Sequence, residues 1–166
     1  MKKFYSATMI SILLLFCVNT IKAQTTDSTL NQVELMKQFI GSWQCDDARD
    51  TIVFWETKSY GTGLECYFTY VTKGKVFQEG KQLWGYDKSI DKFIAFTLRK
   101  GMDIQIDAYW FISKNKLESL YYRDIPNLEK ASLRWELEFT SSDILLETSF
   151  INDDTVKTVT FTRVKE

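Results

Sequence analysis

Trp84, Arg99, Trp110, Tyr121 and Trp135 are the residues of this chain best suited to chemistry, and the chemistry they suit is binding. Indole and phenol rings offer apolar area with one polar tip. An arginine adds a fork of donors for an anionic head group. Arg99 ends its segment in phase with Phe93, Ala95 and Thr97, and Arg123 follows Tyr121-Tyr122 at the start of a long break. Catalysis has less to work with. The chain has no histidine, which removes Ser-His and Cys-His nucleophile systems. Glu65 and Glu79 could form an acid–base pair, but alternation sets each opposite the apolar residues of its strand. Asp46, Asp47 and Asp50, like Asp153 and Asp154, lack the spacing and glycine of a calcium loop and suit turns instead. The expectation is a protein that is not an enzyme and carries no cofactor or metal.

The elements that must position these residues are strands. Side chains alternate with period two over 42–47, 51–57, 63–72, 75–86, 91–99, 103–112, 115–122, 132–140, 143–151 and 155–164. Turn-forming residues separate them, among them Lys73-Gly74-Lys75, Ser141-Ser142-Asp143 and Asn152-Asp153-Asp154. Short connections make sequential strands neighbours. The longest break, Arg123 to Ala131, holds the single proline. Before the strands, Thr29-Leu30-Asn31-Gln32 fits a capping box, with Gln32 reaching back. Leu30, Val33, Met36, Phe39 and Ile40 then give a short helix that Gly41 stops, placed to cover one barrel end. The fold class is all-β: an antiparallel up-and-down β-barrel of about eight to ten strands with one short N-terminal helix. Leu133, Trp135, Leu137 and Phe139 form one inward set, and Ile104, Ile106, Ala108, Trp110 and Ile112 another. That second assignment turns Tyr109 and Phe111 outward and makes the interior oily.

Residues 1–23 have the three-part layout of a signal peptide: Lys2 and Lys3, an apolar run from Met9 to Val18, and a polar exit to Ala23. The run is too short for an ordinary membrane span. Residues 24–28 read as a flexible leader and 29–166 as one domain. The chain is therefore expected to be exported, periplasmic or extracellular. Loss of Lys2, Lys3 and Lys22 takes the formal net charge from −1 to about −4, which gives no electrostatic footprint for nucleic acid. Cys45 and Cys66 would remain. Export and the even count favour a bridge. Their placement on the first and third strands, about 9.5 Å apart, exceeds a disulfide's reach of about 7 Å and favours two buried thiols.

Gly41-Ser42-Trp43 after a short helix, paired with Arg163 in the final strand, resembles the calycin superfamily of lipocalins and fatty-acid-binding proteins. The resemblance implies a barrel sealed at one end by Trp43 under Arg163, with Gly41 part of that closing motif. Leu83-Trp84-Gly85-Tyr86-Asp87 followed by Lys92-Phe93-Ile94-Ala95 is similar to secreted bacterial lipocalin-like domains of unknown function. The Arg-x-Tyr carboxylate clamp of fatty-acid-binding proteins is missing, since the chain reads Arg163-Val164-Lys165. The axial histidine of haem-binding barrels is missing too.

Two functions follow. In the first, the interior holds a small hydrophobic ligand against Trp84, Trp110, Tyr121 and Trp135, with Arg99 at the mouth. In the second, a filled barrel binds another envelope protein through outward aromatics such as Tyr109 and Phe111 or through the 123–131 loop. Cavity volume separates them: several hundred Å³ favours a ligand and near zero favours the module.

Overall fold

The structure, a computed structural model, describes residues 30–47 and 50–165. The signal peptide and leader expected over residues 1–28, and Thr29 with them, lie outside the described residues. Ten antiparallel strands close into one barrel: β1 (Gly41–Asp47), β2 (Thr51–Tyr60), β3 (Gly63–Thr72), β4 (Lys75–Asp87), β5 (Lys92–Arg99), β6 (Gln105–Phe111), β7 (Lys116–Tyr121), β8 (Leu133–Ser141), β9 (Ile144–Ile151) and β10 (Asp154–Arg163). Each pairs with the next, and β1 pairs with β10. Two-residue turns impose that order. Lys73-Gly74 (φ 51° and 72°) and Asn152-Asp153 (φ 50° and 68°) sit between strand ends that remain paired, and two successive positive φ values match the right-handed twist of the flanking strands.

A short helix α1 (Gln32–Met36), continued as a 3-10 turn (Lys37–Phe39), plugs one end. Met36 and Phe39 enter the main core, where the Phe39 ring meets Phe139 at 4.9 Å and Trp84 at 5.4 Å. The cap differs from the sequence expectation. Asn31 is the N-cap and accepts from Glu34 N at 3.2 Å. Gln32 instead crosses the barrel floor, donating from Nε2 to Phe111 O (3.0 Å) and accepting from Phe111 N (2.7 Å) at Oε1. A buried amide with a matching backbone pair in reach gains more there than beside a solvated helix start.

Gly41, Trp43 and Arg163 close the seam. Arg163 lies opposite Trp43 across β1 and β10, with its guanidinium carbon 4.1 Å from the indole centroid. Its nitrogens donate to the carbonyls of Ile40, Gln38 and Ser142, and Trp43 Nε1 donates to Phe39 O at 3.0 Å. Gly41 has φ 123°, and an added Cβ would run into Arg163 Nη1. Both the backbone and the space require glycine there.

One strand has the reverse of its expected phase. On β6 the inward residues are Gln105, Asp107, Tyr109 and Phe111, not Ile106, Ala108 and Trp110. Ile104 precedes the strand and is exposed. The cause is a roof. A 3-10 segment at Tyr122–Lys130, kinked at Asn127, takes the place of the expected open loop. Its Ile125, with Ala131 just beyond, packs with Ala108, Trp110 and Leu120 as a second apolar cluster outside the barrel wall. Both faces of β6 are therefore covered at Ala108 and Trp110, and greasiness alone cannot tell them apart there.

Candidate functional site

The inner faces of the strands enclose a cavity of about 150 Å³. Phe39 and Leu137 bound it on the plugged side, while Trp55, Trp84, Tyr109 and Trp135 supply aromatic wall. Trp84 stacks on Tyr109 with centroids 4.5 Å apart and planes 18° apart, the offset packing that aromatic pairs prefer. Arg99 and Gln105 also line a surface groove with Met102, Ile104, Tyr121 and Tyr122. They therefore stand where the cavity meets the outside.

The centre is not oily. Register carries polar residues inward: Thr97 opposes Gln105, and Ala95 opposes Asp107. Arg99 Nη1 donates to Gln105 Oε1 at 2.9 Å, and Gln105 Nε2 donates to both Asp107 oxygens at 2.9 and 2.8 Å. Asp107 is only 1% exposed. Burial pushes its carboxyl up to about 6, with Gln105 and Arg99 pulling back. Tyr109 is raised far above the ordinary phenol, first by burial and then by Asp107, against weaker help from Ser119 and Gln82. Cys66, on the wall, is pushed up to about 11 by burial, so its thiol is inert at neutral pH. Cys45 and Cys66 are both buried and unbridged.

Among the described residues, two buried side-chain polar atoms have no hydrogen-bond partner: Arg99 Nε and Ser119 Oγ. Both residues line the cavity. Ser119 lies opposite Tyr109 across the β6–β7 pair and favours its phenolate, so of the two atoms Arg99 Nε is the one with no group of the protein turned towards it. An unpaired buried donor costs about 1–3 kcal/mol, and more when charged. Such an atom on a small cavity marks a place where something polar fits.

Of the residues the sequence singled out, Trp84, Trp135 and Arg99 come together on the cavity wall. Tyr121 shares their inward phase but packs edge-on against Trp135 at 5.7 Å and lines the groove outside the mouth. Trp110 does not belong to the set. It lies in the outer cluster with Lys92 Nζ 3.6 Å from its centroid, because its strand is phased the other way. Arg123 is 81% exposed and pairs loosely with Asp124. Glu65 and Glu79 face outward, where Lys81 (2.8 Å) and Lys100 (3.4 Å) meet them. Gln105, Asp107, Tyr109 and Ser119 were missed. The signal that finds them is the inward phase of Phe93, Ala95, Thr97 and Arg99, because directly opposed residues share a face.

No protein-family model and no curated protein matches the chain.

Proposed function

We propose that this calycin-like barrel is an exported binding protein for a small molecule held in its interior. The observation that carries the reading is the cavity itself: at about 150 Å³ it falls short of the several hundred expected of a lipid-sized site, but it is walled by aromatic rings and leaves the buried Arg99 Nε without a partner. A protein cavity near this size takes a benzene-sized guest, so a long-chain fatty acid is too large for it as it stands. The guest is smaller and more polar than the oily interior first expected would suit, with an apolar body against Trp84 and Trp135 and a polar group towards Arg99. Export rests on the layout of residues 1–23, and the reading requires no catalytic step.

Native mass spectrometry of the exported protein purified from its own source tests this. The expected result is a co-purified molecule of low mass, displaced when Trp84→Ala and Trp135→Ala enlarge the cavity and remove its walls. A bare mass from every preparation, with no tryptophan fluorescence response to small aromatic compounds, would sink the reading.

A second reading, a barrel that binds another envelope protein, loses the support of Tyr109 and Phe111, which point inward. It gains a different feature. Leu83, Phe96 and Ile106 lie directly opposite one another across β4, β5 and β6 on the outer face, with Leu98 and Ile104 exposed nearby. Contiguous exposed apolar groups of this kind mark contact surfaces. A solution mass equal to one chain, with no partner recovered by crosslinking at Phe96, would count against it.

A further inference from the structure

We infer that the interior guest is a small aromatic or similarly flat carboxylic acid, its carboxylate received by Arg99 at the cavity mouth. This rests on the small-molecule reading above and names the ligand class. Three observations carry it.

The first is the state of the Arg99 fork. Nη1 is committed to Gln105 Oε1, while Nε is buried and finds no acceptor. The Nε side of a guanidinium is an edge that takes a carboxylate in two parallel bonds. A neutral carbonyl could use one of those bonds but not both.

The second is position. Arg99 and Gln105 stand where cavity and groove meet, and the aromatic wall lies deeper towards Phe39 and Leu137. A charged head at the mouth with a flat body behind it keeps the anion near water and puts the apolar ring between Trp84 and Trp135. Phe68 stands beside the guanidinium, with the Arg99 head 5.7 Å from its ring centroid, a loose cation–π contact that favours the charge at this end.

The third is charge balance. Asp107 shares the guanidinium through Gln105, so an incoming carboxylate competes with it. Asp107 can yield by taking a proton, because burial already favours its neutral form. Other titratable groups on the wall are Glu147 from β9, Tyr109 from β6, and Tyr70 and Cys66 from β3. Tyr109 and Cys66 titrate far above neutrality. Binding of an acid near neutral pH therefore takes up protons at Asp107, and affinity falls as pH rises above about 6.

The experiment is calorimetric titration of the folded protein with three probes of matched shape: benzoate, benzamide and toluene. Benzoate is expected to bind about tenfold or more tightly than benzamide, with net proton uptake revealed by buffers of different ionisation enthalpy. Arg99→Met is expected to abolish that preference while leaving toluene binding in place. Arg99→Lys, which keeps the charge but loses the fork, is expected to keep less than half of the preference in free-energy terms. Circular dichroism checks that each variant folds. Equal binding of all three probes overturns the acid assignment and leaves the small-molecule reading standing. Failure of all three, toluene included, overturns both. A benzoate preference that survives in Arg99→Met also overturns the assignment, since the anion would then sit elsewhere.

Discussion

At the scale of single residues, Asp107 is the group whose behaviour departs furthest from its type. A carboxylate buried to 1% exposure would ordinarily need a direct cation, yet its contact is the neutral Gln105 amide, with Arg99 one side chain away. Its folded value of about 6 stands above the ordinary 3.8. Between those values the folded protein keeps a proton that the unfolded chain has released. Stability is therefore highest below about pH 4 as far as this group is concerned, and it falls as pH rises towards 6. A shift of about two units corresponds to about 2–3 kcal/mol. Asp107→Asn keeps one of the two Gln105 contacts and removes the titration. Urea unfolding at pH 4, 5, 6 and 7 should show the wild type losing about 2–3 kcal/mol relative to the variant across that range. Parallel profiles would mean that Asp107 is solvated well enough to ionise freely.

At the scale of elements, the floor plug and β6 show what sequence patterning can and cannot reach. The ten strands and the opening helix were legible because turn residues and period-two alternation are local signals. The observed bounds fall within two residues of the sequence expectation at most ends. The phase of β6 was not legible from β6, because its outer face is covered by Tyr122–Lys130 and is as apolar as a core. Reading β5 and β6 together would have resolved it, since inward Thr97 and Ala95 force Gln105 and Asp107 inward. Three of the four missed residues, Gln105, Asp107 and Tyr109, follow from that one pairing. The role of Gln32 was equally invisible, because its partner Phe111 lies 79 residues away. Gln32 holds both backbone groups of Phe111, which is itself fully buried. Gln32→Ala leaves a buried N–H and a buried C=O unpaired, and should cost about 2–3 kcal/mol. Gln32→Glu keeps the acceptor but sets a buried carboxylate oxygen against the Phe111 carbonyl, so at neutral pH it should be no more stable than alanine and should recover as the pH falls. Thermal unfolding of the three proteins checks the order. Equal melting temperatures would show that the plug is held by Met36 and Phe39 alone.

At the scale of the whole molecule, one pairing differs in kind from all the rest. Nine of the ten strand contacts join neighbours in sequence, while β1 and β10 join the two ends of the barrel. Sequence-distant pairing forms late, because loop-closure entropy must be met before its contacts stabilise anything. The seam is also short. Trp43 opposes Arg163 and Gln44 opposes Thr162, whereas β1 and β2 stay in register from Gly41–Thr57 to Asp47–Thr51. Arg163 compensates through its three carbonyl contacts and its stack on Trp43. These bind the seam, the plug and the β8–β9 turn at Ser142 together at one point. Arg163→Ala should therefore cost about 2–3 kcal/mol, more than a typical surface arginine, since it frees two part-buried carbonyls and one exposed one and uncovers an indole. Arg163→Lys should recover less than half, because an ammonium cannot reach three carbonyls and stack at once. Hydrogen exchange gives the sharper reading. The Val164 amide, which donates to Ser42 O across the seam, and the amides of the alternate pair Gln44 and Thr162 should exchange before those of β2 and β3, and Arg163→Ala should widen the gap without touching β2–β3 protection. Were the β2–β3 amides to exchange first, or the loss to spread evenly over all ten strands, the barrel would open as one unit and Arg163 would be an ordinary contributor to it.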